Sequence, residues 1–313
     1  MTMKRKLVKQ GAATLMVSLP SKWTKKLALE KGDEVSLEEF EGSLLVSKDA
    51  TGSKRQTTIT LTELTESSIR TAITNAYRSG YDMVTVNYPN EKYYQILLHA
   101  VQNNLIGFEI IKKEHTSCVI ENITEPSEAQ FEVLLRKIFY NIALSISGSE
   151  ARLRGEHSFE DYAAIDTKVK QFDNFCRRVI IKRNLFGIQA PLFWTFLAQL
   201  IHGQRDLYHL NKYLDTLKDR PSKNAALLKI CTSLKRLFDL ITEAYLSETL
   251  DSLEKAHTLE KEMIYSEYYD LAQKGKDGAI LAFHLTLAAR NFYLATSPLM
   301  GLLLENEGKK KIE

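Results

Sequence analysis

The feature that most limits how this chain can fold is the helical periodicity of its second half. From residue 126 to about residue 304, apolar side chains recur at steps of three and four, which places them on one face of an α-helix. Tyr162, Ile165, Val169, Phe172, Cys176 and Val179 form one such stripe, and Leu227, Cys231, Leu234, Phe238 and Ile241 another. The pattern predicts six helices, over 127–146, 159–183, 191–217, 223–250, 252–274 and 278–304. Pro126 suits a first helical turn, where its missing N–H costs nothing. Ser158 with Asp161, and Asp251 with Glu254, have the spacing of capping boxes. The last helix is apolar on nearly all sides around Ile280, Phe283, Leu287 and Leu294, which predicts a central position, with Pro298 kinking it. An all-α body of two three-helix units over 126–308 follows.

The first 50 residues obey a different period. A short strand is expected over 6–9, and Leu15, Val17 and Leu19 then alternate with polar or small residues, as in a half-buried strand. Pro20 stops that ladder. Ser21 is placed to cap a short helix over 22–29 that carries Trp23 and Leu27 inward. Lys31-Gly32-Asp33 turns the chain into a strand containing Val35 and Leu37, and Gly42 turns it again into 44–46. So small a β-β-α-β-β module buries little apolar surface alone, and pairing with a second copy is the common remedy. Residues 50–56 read as a linker, and 57–124 as a small α/β subdomain in the order β-α-β-α-β-β. No glycine-rich phosphate loop opens either of its helices, so a P-loop or Rossmann site is not supported.

Charge is uneven in the head. Between Met1 and Leu29 there are Lys4, Arg5, Lys6, Lys9, Lys22, Lys25 and Lys26 and no acid, whereas Glu30, Asp33, Glu34, Glu38, Glu39, Glu41 and Asp49 follow. A basic half beside an acidic half predicts one face meant for a polyanion. Arg5, Lys6, Lys9, Lys22, Lys25 and Lys26 are therefore the candidate polyanion-binding residues. No run of about 18 apolar residues and no secretory leader is apparent, so a cytoplasmic protein without membrane insertion is expected. Cys118, Cys176 and Cys231 are widely spaced, which predicts reduced, buried thiols. Arg177 and Arg178 favour a thiolate at Cys176, but its place in the apolar stripe favours burial. His202 and His209 share a helix face without companion ligands, Tyr265, Tyr268 and Tyr269 suit packing or an interface, and no nucleophile–base constellation is visible. An enzyme is not expected.

Arg5-Lys6, Gly11, Val17-Ser18-Leu19-Pro20, Lys22-Trp23 and the run from Leu29 through Lys31-Gly32-Asp33-Glu34-Val35 resemble the AbrB/MazE/SpoVT family of swapped-hairpin DNA-binding domains. The resemblance implies that two chains exchange hairpins to form one β-barrel and that basic residues on the hairpins and loops meet double-stranded DNA. It implies an obligate homodimer and leaves a tetramer open. Gly80-Tyr81-Asp82 and residues 105–111 resemble the junction in archaeal regulators that fuse such a head to a PhoU-like body. The helical half itself resembles the PhoU family, whose two three-helix repeats bear acidic clusters that bind metal ions. Here the family's acid-x-x-x-Asp signature falls on Asp166 and Lys170 and, in the second repeat, on Thr258 and Glu262. Tyr208 and Tyr293 stand where aspartates are expected after Arg205 and Arg290. Asp166 and Glu262 therefore read as degenerate cluster positions on solvated helix faces, and no metal or cofactor is expected. The whole predicts a multidomain α+β chain acting as a transcription regulator of phosphate uptake or homeostasis. The alternative is a PhoU-like regulator that docks a phosphate transporter or signalling kinase, its head serving only to dimerise.

Overall fold

The computed structural model describes residues 3–11, 13–40, 43–48, 54–62, 65–124, 127–156, 161–218, 224–263 and 277–310. The chain divides into two compact units, Met1–Lys54 and Arg55–Glu313.

In the first unit, β1 (Val8–Gln10) and β2 (Thr14–Met16) form an antiparallel hairpin with Val8 opposite Met16. Gly11 turns it at φ +72°, in the left-handed region that glycine enters without a Cβ clash. Helix α1 (Ser21–Lys26) follows, and a second antiparallel hairpin joins β3 (Ser36–Phe40) to β4 (Ser43–Ser47). Pro20, not Ser21, occupies the cap position of α1, and no side chain caps it. The order β-β-α-β-β agrees with the alternation. The two hairpins form separate two-stranded sheets, with no closed barrel among the described residues. No described residue of this unit is buried. Trp23 and Leu27 are only half-buried, while Leu7, Leu15, Leu37 and Leu44 are each 60% exposed or more.

The second unit begins with the α/β subdomain: β5 (Gln56–Thr60), α2 (Glu66–Arg78), β6 (Met83–Asn87), α3 (Glu91–Asn104), β7 (Phe108–Lys113) and β8 (Ser117–Asn122). Its sheet runs β5-β6-β8-β7, parallel at the first pair and antiparallel at the others. Val84, Val86, Cys118 and Ile120 pack against Ile69, Ile73, Leu97 and Val101 of the helices. The body comprises α4 (Glu128–Leu153), α5 (Tyr162–Lys182), α6 (Ala190–Leu214), α7 (Ala225–Ser247), α8 (Asp251–Glu262), α9 (Asp277–Leu294) and α10 (Thr296–Lys310). Ser127 and Gln130 close a capping box at the start of α4. Asp161 caps α5 by accepting from the N–H groups of Ala163 and Ala164, whereas Asp251 lies inside α8 after an uncapped Leu250. Pro126, Ser158 and Lys223, which the sequence places at helix starts, lie outside the described residues.

The stripes are buried as expected at Ile165, Val169, Cys176 and Val179 and at all five positions from Leu227 to Ile241, with Tyr162 and Phe172 at the margin. The last helix is interrupted as Pro298 predicts: it is two helices, broken at Ala295, because Pro298 has no N–H to donate to the carbonyl one turn back. The face it buries departs from expectation. Its inward side is Leu281, Leu285, Ala288, Ala289 and Phe292, while Ile280, Phe283 and Leu294 are each more than a third exposed. A helix that is apolar all round offers no face to periodicity, and shape decides instead. Gly203 of α6 lets Phe292 come so close that a Cβ there would stand 2.3 Å from the ring.

The α/β subdomain docks on α5 through α2 and α3. Arg178 is fully buried, with its guanidinium 5.0 Å from the Tyr77 ring and 5.2 Å from the Phe108 ring. Its Nη1 donates to the carbonyls of Tyr77 (2.9 Å) and Tyr81 (2.7 Å), and its Nη2 to Asp82 Oδ1 (2.7 Å). Lys182 donates to both Asp82 oxygens at 2.8 and 2.9 Å. Burial pushes the Asp82 carboxyl up, but the Lys182 hydrogen bond, the Arg55 N–H and the charges of Lys182 and Arg178 outweigh it and hold it below the usual carboxylate value. Beside this cluster, Arg78 bonds Asp173 (2.8 Å) and Asn174 (2.7 Å), and Asn174 donates to the carbonyl of Asn104 (2.9 Å).

Candidate nucleic-acid interface and a polar groove

All six basic residues singled out in the head are exposed. Arg5 and Lys6 precede β1 and Lys9 lies on it, so these three share one run of backbone. Lys22, Lys25 and Lys26 stand at i, i+3 and i+4 on α1, which places them on one helix face. None of the six makes an ion pair with a described residue. The acidic half that follows is partly used in its own turn, where Asp33 accepts from the Glu30 N–H at 2.7 Å. The head thus presents two short basic runs whose charge is not neutralised by described neighbours.

Of Asp166 and Glu262, the first lies otherwise than expected. Asp166 is buried, 5% exposed, and forms an ion pair with Lys170 one turn along α5. It is not a solvated carboxylate: α5 packs against α6 at this turn, and Lys170 supplies the charge that lets the acid stay there. Glu262 is exposed, as read, at the end of α8. Two residues earlier on α8, Glu260 is the inward acid, 3% exposed and bonded by Arg290 at 2.6 Å. Asp166 and Glu260 are thus each buried against one cation, and α5 carries a second buried acid, Asp173, paired with Arg177 and Arg78. Tyr293 bonds His257 (3.2 Å), and Tyr208 packs on Tyr162 with the Lys170 ammonium 5.7 Å from its ring. Among the described residues no group of three or more histidines, cysteines, aspartates or glutamates is placed to hold a metal ion.

His202 stays exposed, whereas His209 turns in to stack on His284 at 6.1 Å, so the two histidines of α6 do not act together. Burial lowers both His209 and His284, with Arg205 adding to the effect at His209 and His209 itself at His284; both rings are neutral at pH 7. All three cysteines are buried free thiols. Burial pushes Cys118 up to about 11, Cys231 to about 12 and Cys176 well above its ordinary value, so the Arg177 charge beside Cys176 does not activate it. Tyr265, Tyr268 and Tyr269 lie outside the described residues.

One further feature escaped the sequence. A groove of about 680 Å³ opens between α2 and α3 on one side and α5 and α6 on the other. Arg70, Arg78, Lys170, Arg205 and Lys212 line it, with Asp166 as its one carboxylate. The spacing of 205, 208, 209 and 212, and of 70, 74 and 78, marks one polar face on each helix. Nothing in the sequence says that those two faces meet.

No family model matches the chain, and neither a curated protein nor a solved structure matches it.

Proposed function

We propose that the chain is a dimeric, DNA-binding transcription regulator of phosphate uptake or homeostasis, acting in the cytoplasm through its N-terminal unit. One observation carries this reading. The head combines exposed basic side chains that lack ion-pair partners among the described residues with hairpins whose apolar side chains find no cover in their own unit. A second copy supplies both needs at once: it covers Leu15, Leu37 and Leu44, and it doubles the basic surface under a two-fold axis. Lysines and Arg5 then neutralise backbone phosphates and release counterions. Arg5 has the fork geometry to read a guanine edge, and the flexibility of the site supplies further selectivity. The link to phosphate rests on the likeness of the helical body to PhoU proteins. No helix among the described residues is long and apolar enough to cross a membrane.

A genome-wide occupancy map of the full-length protein tests the function. Discrete sites beside phosphate-transport genes are expected, and occupancy no greater than background would favour the protein-docking alternative. For assembly, a fragment of residues 1–54 should sediment as a dimer and unfold at a temperature that rises with its concentration. A fragment that stays folded as a monomer at all concentrations would contradict the two-copy head.

A further inference from the structure

We infer that the groove between the α/β subdomain and the helical body is a binding site for a small anion carrying two or more linked phosphoryl groups. The inference does not depend on what the head binds. Five cationic side chains face the groove against the single carboxylate of Asp166, and that carboxylate is already paired with Lys170. Arg78 is held by Asp173, and Arg70 shares an exposed pair with Glu66 at 3.3 Å. Arg205 and Lys212 are different: both are exposed and neither makes an ion pair with a described residue. Two unneutralised cations in one concave site repel each other, and an anion placed between them removes that repulsion.

The geometry sets the size of the anion. Arg205 and Lys212 are seven residues apart on α6, and Arg70 and Arg78 eight apart on α2, which corresponds to about 10–12 Å along each helix. One orthophosphate reaches one end of such a row; a chain of phosphoryl groups reaches both. The hydroxyls of Thr71 and Thr74 and the neutral imidazole of His209 add uncharged donors along the same walls. The volume, about 680 Å³, lies within the usual range for small-molecule sites. The lining is too polar to select an apolar ligand. A free oligophosphate and a nucleotide share the recognised chemistry. Because one wall belongs to the α/β subdomain and the other to the body, such a ligand also fastens the two together.

The test is calorimetric titration of the full-length protein with tripolyphosphate, ATP and orthophosphate at low salt, with thermal unfolding in parallel. The background is Arg5→Ala, Lys6→Ala, Lys9→Ala with Lys22→Ala, Lys25→Ala and Lys26→Ala, which removes the six exposed cations proposed to bind polyanions in the head. On that background tripolyphosphate should bind and raise the unfolding temperature, and Arg205→Gln with Lys212→Gln should weaken binding at least tenfold. Lys168→Gln, on the exposed side of α5, should leave it unchanged. Tighter binding of ATP than of tripolyphosphate would identify a nucleotide site, and equal or weaker binding a site for the phosphoryl chain alone; either supports the inference. Orthophosphate binding as tightly as tripolyphosphate would overturn it, as would binding that survives loss of Arg205 and Lys212 or is absent at millimolar ligand. If the pair of changes instead weakened duplex DNA binding with no effect on tripolyphosphate, the groove would be a nucleic-acid surface and the inference wrong.

Discussion

Replacing Arg178 with alanine should destabilise the second unit by about 3–5 kcal/mol, the cost of removing one partner from a buried, hydrogen-bonded ion pair. The change takes three donated hydrogen bonds from the seam at once. It takes the guanidinium donor from the carbonyls of Tyr77 and Tyr81, of which Tyr77 keeps the Gly80 N–H at 3.0 Å, and it removes the cation held beside the rings of Tyr77 and Phe108. Lys182 still bonds Asp82, so the aspartate keeps one cation and the loss stays at the seam. For a unit of this size the shift in Tm is on the order of 10 °C. Arg178→Lys should recover only part of it, because an ammonium cannot span two carbonyls and a carboxylate in the guanidinium's planar fork. Lys168→Ala, on the same helix but exposed, should cost less than about 0.5 kcal/mol. Thermal or urea unfolding checks all three, and an Arg178→Ala protein within about 1 kcal/mol of wild type would remove the seam from the account of how the subdomain is held.

How much of this was legible beforehand depended on whether one helix or strand contained the information. The stripes on α5 and α7 and the alternation of the α/β subdomain are local patterns, and Leu227 through Ile241 are buried as their spacing says. The inward face of α9 was not legible, since Ile280 and Phe283 are as apolar as Leu281 and Leu285. What decided it was the absence of a side chain at Gly203, on another helix. The two cluster positions show the same limit. Spacing puts Lys170 one turn from Asp166, but whether that pair faces water or α6 is not a property of α5 alone. In the second unit Glu260 and Glu262 differ by only two residues, and just one of them meets Arg290. The seam around Arg178 joins residues about a hundred positions apart, and the groove assembles four helices, so neither could be read from spacing.

The central claim is that the basic runs of the head hold DNA in a two-copy complex. Its most direct measurement is the affinity of the full-length protein for duplex DNA as a function of salt, for wild type and for Arg5→Ala, Lys6→Ala, Lys9→Ala. These three side chains are exposed and have no ion-pair partner among the described residues, so removing them costs the folded head little and changes its field a great deal. With three contacts from each of two chains, about six phosphates are engaged, and the slope of log affinity against log salt is then about −5 from these residues alone. Wild type should therefore lose roughly 10³-fold or more in affinity between 50 and 200 mM salt. The triple variant should bind every sequence more weakly and with a slope shallower by about 5. A variant that kept the wild-type affinity and slope would contradict the claim and leave the head as a dimerisation module alone.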